Sequence, residues 1–355
     1  MGTKSLVKSV ANKLGCSRMT LSPGRGEYGI SWDLVECAQS YLQNVLITSP
    51  CELSPAVSEV VGREVWLKLE LMLPTRSFKV RGALFKVKQL SEGDSLLVAG
   101  LVTASTGNHG LGLAYAGRVR GVPVTVFVPR GANQAKIRAM KALGATIVER
   151  GADWQDAYEC AKTASLEDGS IYVHSFDDPE IIAGQSTVGL EIAAQVPDLD
   201  TVVVPIGGGG LIAGVATALA ERLPNVCIVG VQPVAGDSMR QSIAARQLVT
   251  LPPFTTIADG LAARRPGELT FQIASRLVSK VVVVQEATLR KGMALLLGEE
   301  RLLVEPSGAA SVAALMEVGD SIPGDRVVCV ISGGNVDPTL LRALVTDAEA
   351  GQPQT

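Results

Sequence analysis

Thr201-Val202-Val203-Val204-Pro205-Ile206 runs directly into Gly207-Gly208-Gly209-Gly210 and then Leu211-Ile212-Ala213-Gly214-Val215-Ala216. A short β-branched run without polar alternation reads as a strand buried on both faces, and the small apolar residues after the glycines read as a helix. The four glycines therefore form a tight strand-to-helix turn whose backbone N–H groups can wrap an anion with no side chain in the way. The spacing is not G-x-G-x-x-G and lacks a G-K-[ST] ending, which argues against a dinucleotide or nucleoside triphosphate and for a simple phosphate cup.

The same alternation continues on both sides of this unit. Strand candidates are Glu64–Glu70, Leu97–Ala104, Val122–Val128, Ala145–Glu149, Ser170–Val173, Val226–Gln232, Lys280–Gln285 and Arg326–Ser332. Helical patterns fall between them at Ser77–Leu90, Gly107–Arg120, Asn133–Leu143, Asp153–Leu166, Pro179–Gln195 and Ser307–Val318. Strands that are apolar throughout predict an α/β fold of open, twisted parallel sheets covered by helices. The stretch before about Pro50 has weak periodicity and reads as an N-terminal arm. Leu248–Gly267, with Pro252, Pro253 and Pro266, reads as an ordered irregular connection. After Asp337 only a final helix and a polar tail are expected, with no room for a regulatory domain.

At 355 residues and 47% hydrophobic, the chain can bury a large core, divided between two lobes. A net charge of −3 supplies no bulk positive field, so neither nucleic acid nor an anionic membrane surface is an expected partner. Mean hydropathy is +0.28, yet no apolar run approaches the about 18 residues of a spanning helix. The six cysteines are far apart with no C-x-x-C pair, which suggests neither a zinc site nor a disulfide framework. With no apolar signal segment at the N-terminus, the cytoplasm is the expected location.

Three further motifs sit where strands meet helices. In Pro74-Thr75-Arg76-Ser77-Phe78-Lys79-Val80-Arg81-Gly82, a lysine at a helix start feels the positive end of the dipole and is shielded from water by Phe78. Both effects disfavour the ammonium, as a Schiff-base lysine requires. In Ala104-Ser105-Thr106-Gly107-Asn108-His109-Gly110, hydroxyls, an amide and free N–H groups at a helix start suit a small carboxylate. His109 has no acidic neighbour to orient it and reads as a packing or positioning residue, and His174 as an interior one. The fourth motif is Val330-Ile331-Ser332-Gly333-Gly334-Asn335, preceded one element earlier by Glu305-Pro306-Ser307-Gly308-Ala309. In a parallel sheet the C-terminal strand ends meet at one crevice, which places Ser332 on the same edge as the glycine cup.

The combination S-F-K-x-R-G, S-x-G-N-H, a tetraglycine turn and a terminal S-G-G-N resembles the pyridoxal-phosphate enzymes of the tryptophan-synthase β-subunit fold. Within that fold it is most similar to the serine/threonine dehydratase and serine racemase branch, from about Leu46 to about Leu340. The resemblance implies pyridoxal 5′-phosphate as cofactor, with Lys79 as Schiff-base lysine and proton-transfer base and Phe78 packed against the ring. Gly207, Gly208, Gly209 and Gly210, with Leu211, would hold the 5′-phosphate. Asn108 would bond the ring 3′-oxygen, Ser332 would face the pyridine nitrogen, and Gly260 and Glu305 would border the cofactor. Ser105, Thr106, Gly107, Asn108 and His109 would clamp the substrate carboxylate. A small mobile domain, residues 97–172, would close over a large domain formed by 1–96 and 173–355.

Ser332 shapes the implied chemistry. A neutral hydroxyl leaves the ring less electron-withdrawing than an acidic partner would, so loss of a β-hydroxyl after Cα deprotonation is favoured. The implied reaction is conversion of L-threonine or L-serine to a 2-oxo acid and ammonia. Three departures from the family's pattern bear on this. Arg76 stands where relatives usually have glycine, which makes it a candidate selector for an acidic substrate such as 3-hydroxyaspartate. Thr106 stands where racemases of this kind carry a reprotonating serine, so a racemase is an alternative. Gln232 replaces a carboxylate that binds a divalent ion in racemase-like relatives, so no metal is expected. A β-replacement enzyme and a non-catalytic pyridoxal-phosphate protein are the remaining alternatives. The expected partners are an amino-acid substrate and a second copy of the chain in a homodimer.

Overall fold

A computed structural model describes residues 30–92 and 99–350. Its strands are β1 (Cys51–Leu53), β2 (Glu64–Leu69), β3 (Leu101–Ala104), β4 (Val124–Val128), β5 (Thr146–Glu149), β6 (Ile171–Tyr172), β7 (Thr201–Pro205), β8 (Cys227–Pro233), β9 (Lys280–Val284) and β10 (Arg326–Ile331). They form a six-stranded sheet in the order β1-β2-β10-β7-β8-β9 and a four-stranded sheet in the order β5-β4-β3-β6. All neighbours are parallel except β1, which runs antiparallel to β2 at the sheet edge. This antiparallel edge departs from the all-parallel expectation: a three-residue strand of mixed exposure carries no period that a sequence can display.

The N-terminal arm also needs correction. Trp32–Leu42 is a helix, capped by Ser31, whose Oγ accepts the Leu34 N–H at 3.2 Å. It buries Val35, Ala38 and Leu42 in a core shared with Val80, Leu84, Leu113 and Ile181. The part of the arm before residue 30 and the tail after residue 350 lie outside the described residues.

Glycines let the helices between the sheets cross closely. A Cβ on Gly184 would lie 2.5 Å from Gly82 Cα, and one on Gly82 would lie 2.7 Å from the Ile181 carbonyl oxygen. The helices Lys79–Glu92 and Pro179–Gln195 therefore meet backbone to backbone. The core they share also takes in Leu101 of β3 and Val124, Val126 and Val128 of β4, so the smaller sheet packs on the same apolar body as the two helices. No helix among the described residues is long and apolar enough to cross a membrane.

Candidate active site

Lys79 opens the helix Lys79–Glu92, and the residues before it are zipped to the end of β10. Ser77 bridges Gly333, Phe78 N–H donates to the Ser332 carbonyl at 3.1 Å, and Gly334 N–H donates to the Arg76 carbonyl at 2.9 Å. The lysine motif and the S-G-G-N motif are thus one surface. Lys79 Nζ donates to the Ser175 carbonyl at 2.7 Å and stands 5.2 Å from the centroid of the Phe78 ring. Burial pushes the amine down to about 8, so a neutral, nucleophilic fraction exists near physiological pH.

The arginine of the same motif has a structural task. Arg81 forks onto Glu70 (2.7 and 2.9 Å) and onto Glu191 (2.6 and 2.7 Å), and Lys68 reaches Glu191 at 2.6 Å. Two cations and two anions cancel in a buried group that ties the Lys79 helix to the end of β2 and to the helix Pro179–Gln195. Arg76 is different: it is exposed, and its φ of 56° lies in the left-handed region that favours glycine. That backbone is one a glycine would adopt at less cost. The guanidinium has no ion-pair partner among the described residues.

Gly207–Gly210 joins β7 to the helix Gly210–Arg222, with Gly209 at φ 102°. The Gly208 carbonyl is already taken by Thr270 Oγ1 at 2.7 Å and Gly267 N–H at 3.2 Å, which fixes the loop. Phe176 packs so tightly that a Cβ on Gly208 would lie 2.4 Å from its ring, and a Cβ on Gly207 would lie 2.8 Å from the Gly260 carbonyl oxygen. Gly260 therefore borders the cup. Leu211 puts its side chain into the core, so it can offer an anion only its backbone N–H.

Ser105 Oγ accepts the N–H groups of Gly107 (3.2 Å) and Gly110 (3.0 Å), shaping the turn before the helix Asn108–Arg120. Asn108 and His109 lie in the first turn, where N–H groups have no intrahelical acceptor. Thr106, Gly107 and Asn108 are half-buried. The His109 ring is buried with Nε2 3.3 Å from the Val173 carbonyl, and burial, with Lys79 nearby, pushes it down to about 3. It is neutral and packed, so an incoming carboxylate can use its backbone and not its imidazole. His174 is likewise held down, to about 4 by burial, and its Nδ1 accepts the Asp177 N–H at 2.8 Å.

Asn108 Nδ2 donates to Glu305 Oε1 at 2.6 Å, while Asn108 Oδ1 accepts from Asn335 Nδ2 at 2.8 Å. Ser332 is buried, with its hydroxyl 3.4 Å from the Ser307 carbonyl. The hydroxyls of Thr75, Ser77 and Ser307 are buried without a hydrogen-bond partner. Orphaned donors in the segments that carry Lys79 and face Ser332 fit a polar group that the protein is built to receive.

The sequence reading missed the strap His174–Asp178. Ser175 holds the lysine, Phe176 covers the glycine cup, and Asp177 caps the helix Glu268–Leu277 by accepting N–H groups of residues 268, 269 and 270 at 2.9, 3.0 and 3.1 Å. Only Asp178-Pro179, a helix start, was visible in the residues. Elsewhere, Gln232 donates to the Gly236 carbonyl at 3.0 Å, and Asp237 pairs with Arg240 and Gln241. No cluster of three or more His, Cys, Asp or Glu among the described residues is placed to hold a metal ion.

A half-buried lysine of lowered basicity, a glycine turn at one helix N-terminus and a polar turn at another, at strand ends of the two sheets, fit the class of enzyme that holds a phosphorylated aldehyde cofactor. Residues 43–333 match the family described as pyridoxal-phosphate dependent enzyme, and the chain belongs to it. It is 39% identical to an L-threonine ammonia-lyase of Thermotoga maritima, over 89% of this chain and 78% of that one. It is 42% identical to an L-threonine ammonia-lyase of Geobacter sulfurreducens, over 81% of this chain and 71% of that one. A solved structure of maize serine racemase superposes with a TM-score of 0.85 at 33% identity, covering 91% of this chain and 99% of that one.

Proposed function

We propose that this protein is a pyridoxal-phosphate dependent ammonia-lyase that converts a β-hydroxy amino acid, L-threonine or L-serine, to a 2-oxo acid and ammonia. The observation that carries the reading is the desolvated Lys79 amine on the same surface as the neutral Ser332 hydroxyl, in a chain similar to two L-threonine ammonia-lyases.

Lys79 would hold the cofactor, the N–H groups of Gly207 to Leu211 its phosphate, and Asn108, Gly260, Glu305, Phe78 and Ser332 its ring. When bound, the cofactor supplies the electron sink that acidifies Cα of the amino acid. The protein does the rest. First-turn N–H groups at Asn108 and His109, with the Thr106 hydroxyl, orient the substrate carboxylate at the positive end of a helix dipole. Lys79 Nζ, neutral in part because it is buried, takes the Cα proton. Ser332 offers a hydroxyl and no charge, which disfavours a long-lived carbanion and favours loss of the β-hydroxyl.

Residues 97–172 act in this reading as the lobe that closes the site. Lys136 joins that lobe to Asp259 at 2.5 Å, beside Gly260. The working form is a homodimer in the cytoplasm. A second reading, a racemase, draws on the Thr106 hydroxyl and the likeness to serine racemase. The test is a panel of L- and D-serine, L-threonine, threo-3-hydroxyaspartate and phenylserine, followed for 2-oxo acid and for enantiomer interconversion. Release of 2-oxo acid from L-threonine or L-serine is expected; interconversion without it overturns the lyase in favour of the racemase.

A further inference from the structure

We propose that Glu305 is a positioning residue whose proton governs how Asn108 meets the cofactor ring. The inference rests on the assignment of Asn108 to the cofactor made above and is independent of which amino acid is the substrate.

The side-chain amide of Asn108 is held at both ends, by Glu305 Oε1 at 2.6 Å and by Asn335 Nδ2 at 2.8 Å. Asn335 is fixed in turn by the Thr75 carbonyl at 2.9 Å. With its oxygen occupied, the amide cannot flip, and of its two Nδ2 hydrogens one goes to Glu305 and one is left for the site. Glu305 stands at the N-cap of the helix Pro306–Val318 yet makes no side-chain cap bond; its carboxyl turns to Asn108 instead. Space for it exists because residue 333 is glycine, where a Cβ would lie 2.5 Å from Oε1.

Glu305 is buried, and none of the described lysines or arginines forms an ion pair with it. The groups that face it are Asn108, the Asn335 backbone N–H, Asp259, and Lys136 from the small-lobe helix Gln134–Ala142. Burial first and Asp259 second push its carboxyl up to about 7, against the opposing pull of Asn108 and Lys136. A carboxyl held there changes charge near neutral pH. The carboxylate puts negative charge behind Asn108 and favours the protonated form of the bound chromophore, whereas the neutral acid withdraws that support.

The experiment is a spectrophotometric titration of the holoenzyme from about pH 5.5 to about pH 8.5. The visible band of the wild type should show an inflection near pH 7, absent in Glu305→Gln and retained at a shifted position in Glu305→Asp. Exposed Asp259 and half-buried Lys136 give an independent arm should Glu305→Gln fail to take up cofactor. Asp259→Asn removes a like charge and should move the inflection to lower pH, and Lys136→Met removes an opposite charge and should move it higher. A flat wild-type titration, an inflection that survives in Glu305→Gln, or shifts of the same sign in Asp259→Asn and Lys136→Met overturns the proposal. An inflection unchanged in Asn108→Ala overturns it too and leaves the ammonia-lyase reading intact, whereas failure of that reading shows as a visible band with no 2-oxo acid product.

Discussion

Gly112 approaches Lys79 so closely that a Cβ on it would stand 3.1 Å from the lysine's carbonyl oxygen. The helix Asn108–Arg120, which begins at the turn proposed to bind the substrate carboxylate, thus rests on the backbone of the lysine proposed to hold the cofactor. Gly112→Val must push these elements apart, at about 1–3 kcal/mol of overpacking. Lower thermal stability together with a raised KM is the expected result, measured by melting curves and initial rates. Wild-type values in both would show that the contact is slack.

Lys79→Ala should abolish the visible absorbance of the bound cofactor and lower turnover by at least roughly 10²–10⁴, the range for loss of a positioned proton-transfer group. Lys86→Ala is the control. Lys86 lies about two turns further along the same helix, pairs with Asp178 at 2.7 Å and should keep the visible band.

Arg81→Met leaves Glu70 and Glu191 with Lys68 as their only cation in the network. An uncompensated buried carboxylate costs about 3–5 kcal/mol, so a large fall in the denaturation midpoint is expected. Arg81→Lys should recover only part of it, because an ammonium cannot fork onto two carboxylates. A loss below about 1 kcal/mol would place the network in water.

The folded-state value of Glu305, about 7, lies above the ordinary 4.5. The folded protein therefore holds a proton that the unfolded chain has released between these values, and this contribution to stability falls as pH rises through that window and is gone above it. Glu305→Gln should accordingly gain on wild type as pH is raised from 5 to 8 in thermal melts of the cofactor-free protein. A difference independent of pH would contradict the assignment.

Arg76→Gly has two separable readouts. Removing a side chain from a left-handed residue should stabilise the protein by about 1 kcal/mol. If the guanidinium also binds a second substrate carboxylate, kcat/KM for threo-3-hydroxyaspartate should fall by roughly 1.5–3 kcal/mol in transition-state stabilisation while that for serine holds. Equal changes on both substrates would leave Arg76 with a backbone oddity and no part in selection.

Much of the fold was legible because parallel strands buried on both faces are continuous apolar runs, and each such run is a strand here. What escaped included β1, whose three residues follow no period, the helix Trp32–Leu42, whose apolar positions gain meaning only against Val80 and Leu84, and the helices Pro55–Val61, Ser238–Ala245, Glu268–Leu277 and Glu286–Gly298. At the site, Lys79, Asn108, the glycines and Ser332 carry side chains or turns with a chemical signature. Ser175 acts through a carbonyl, Phe176 through a ring edge and Asp177 through a cap on a helix far along the chain, and a linear sequence marks none of these. The left-handed backbone at Arg76 was hidden for a related reason: the residue that usually announces it is absent.

The position of β2 between β1 and β10 bears on how the protein is made. The strands of the smaller sheet are contiguous in sequence, Leu101 to Tyr172, and can pair as soon as they leave the ribosome. Glu64–Leu69 emerges earlier but waits for Arg326–Ile331, the last strand in chain order among the described residues, before its apolar edge is covered. Until then Ser77 and Phe78 have no Gly333 or Ser332 to zip to. Cofactor capture is consequently a late event in the life of the nascent chain, and a polypeptide stopped short of Ser332 exposes an aggregation-prone strand and holds its lysine in no defined place.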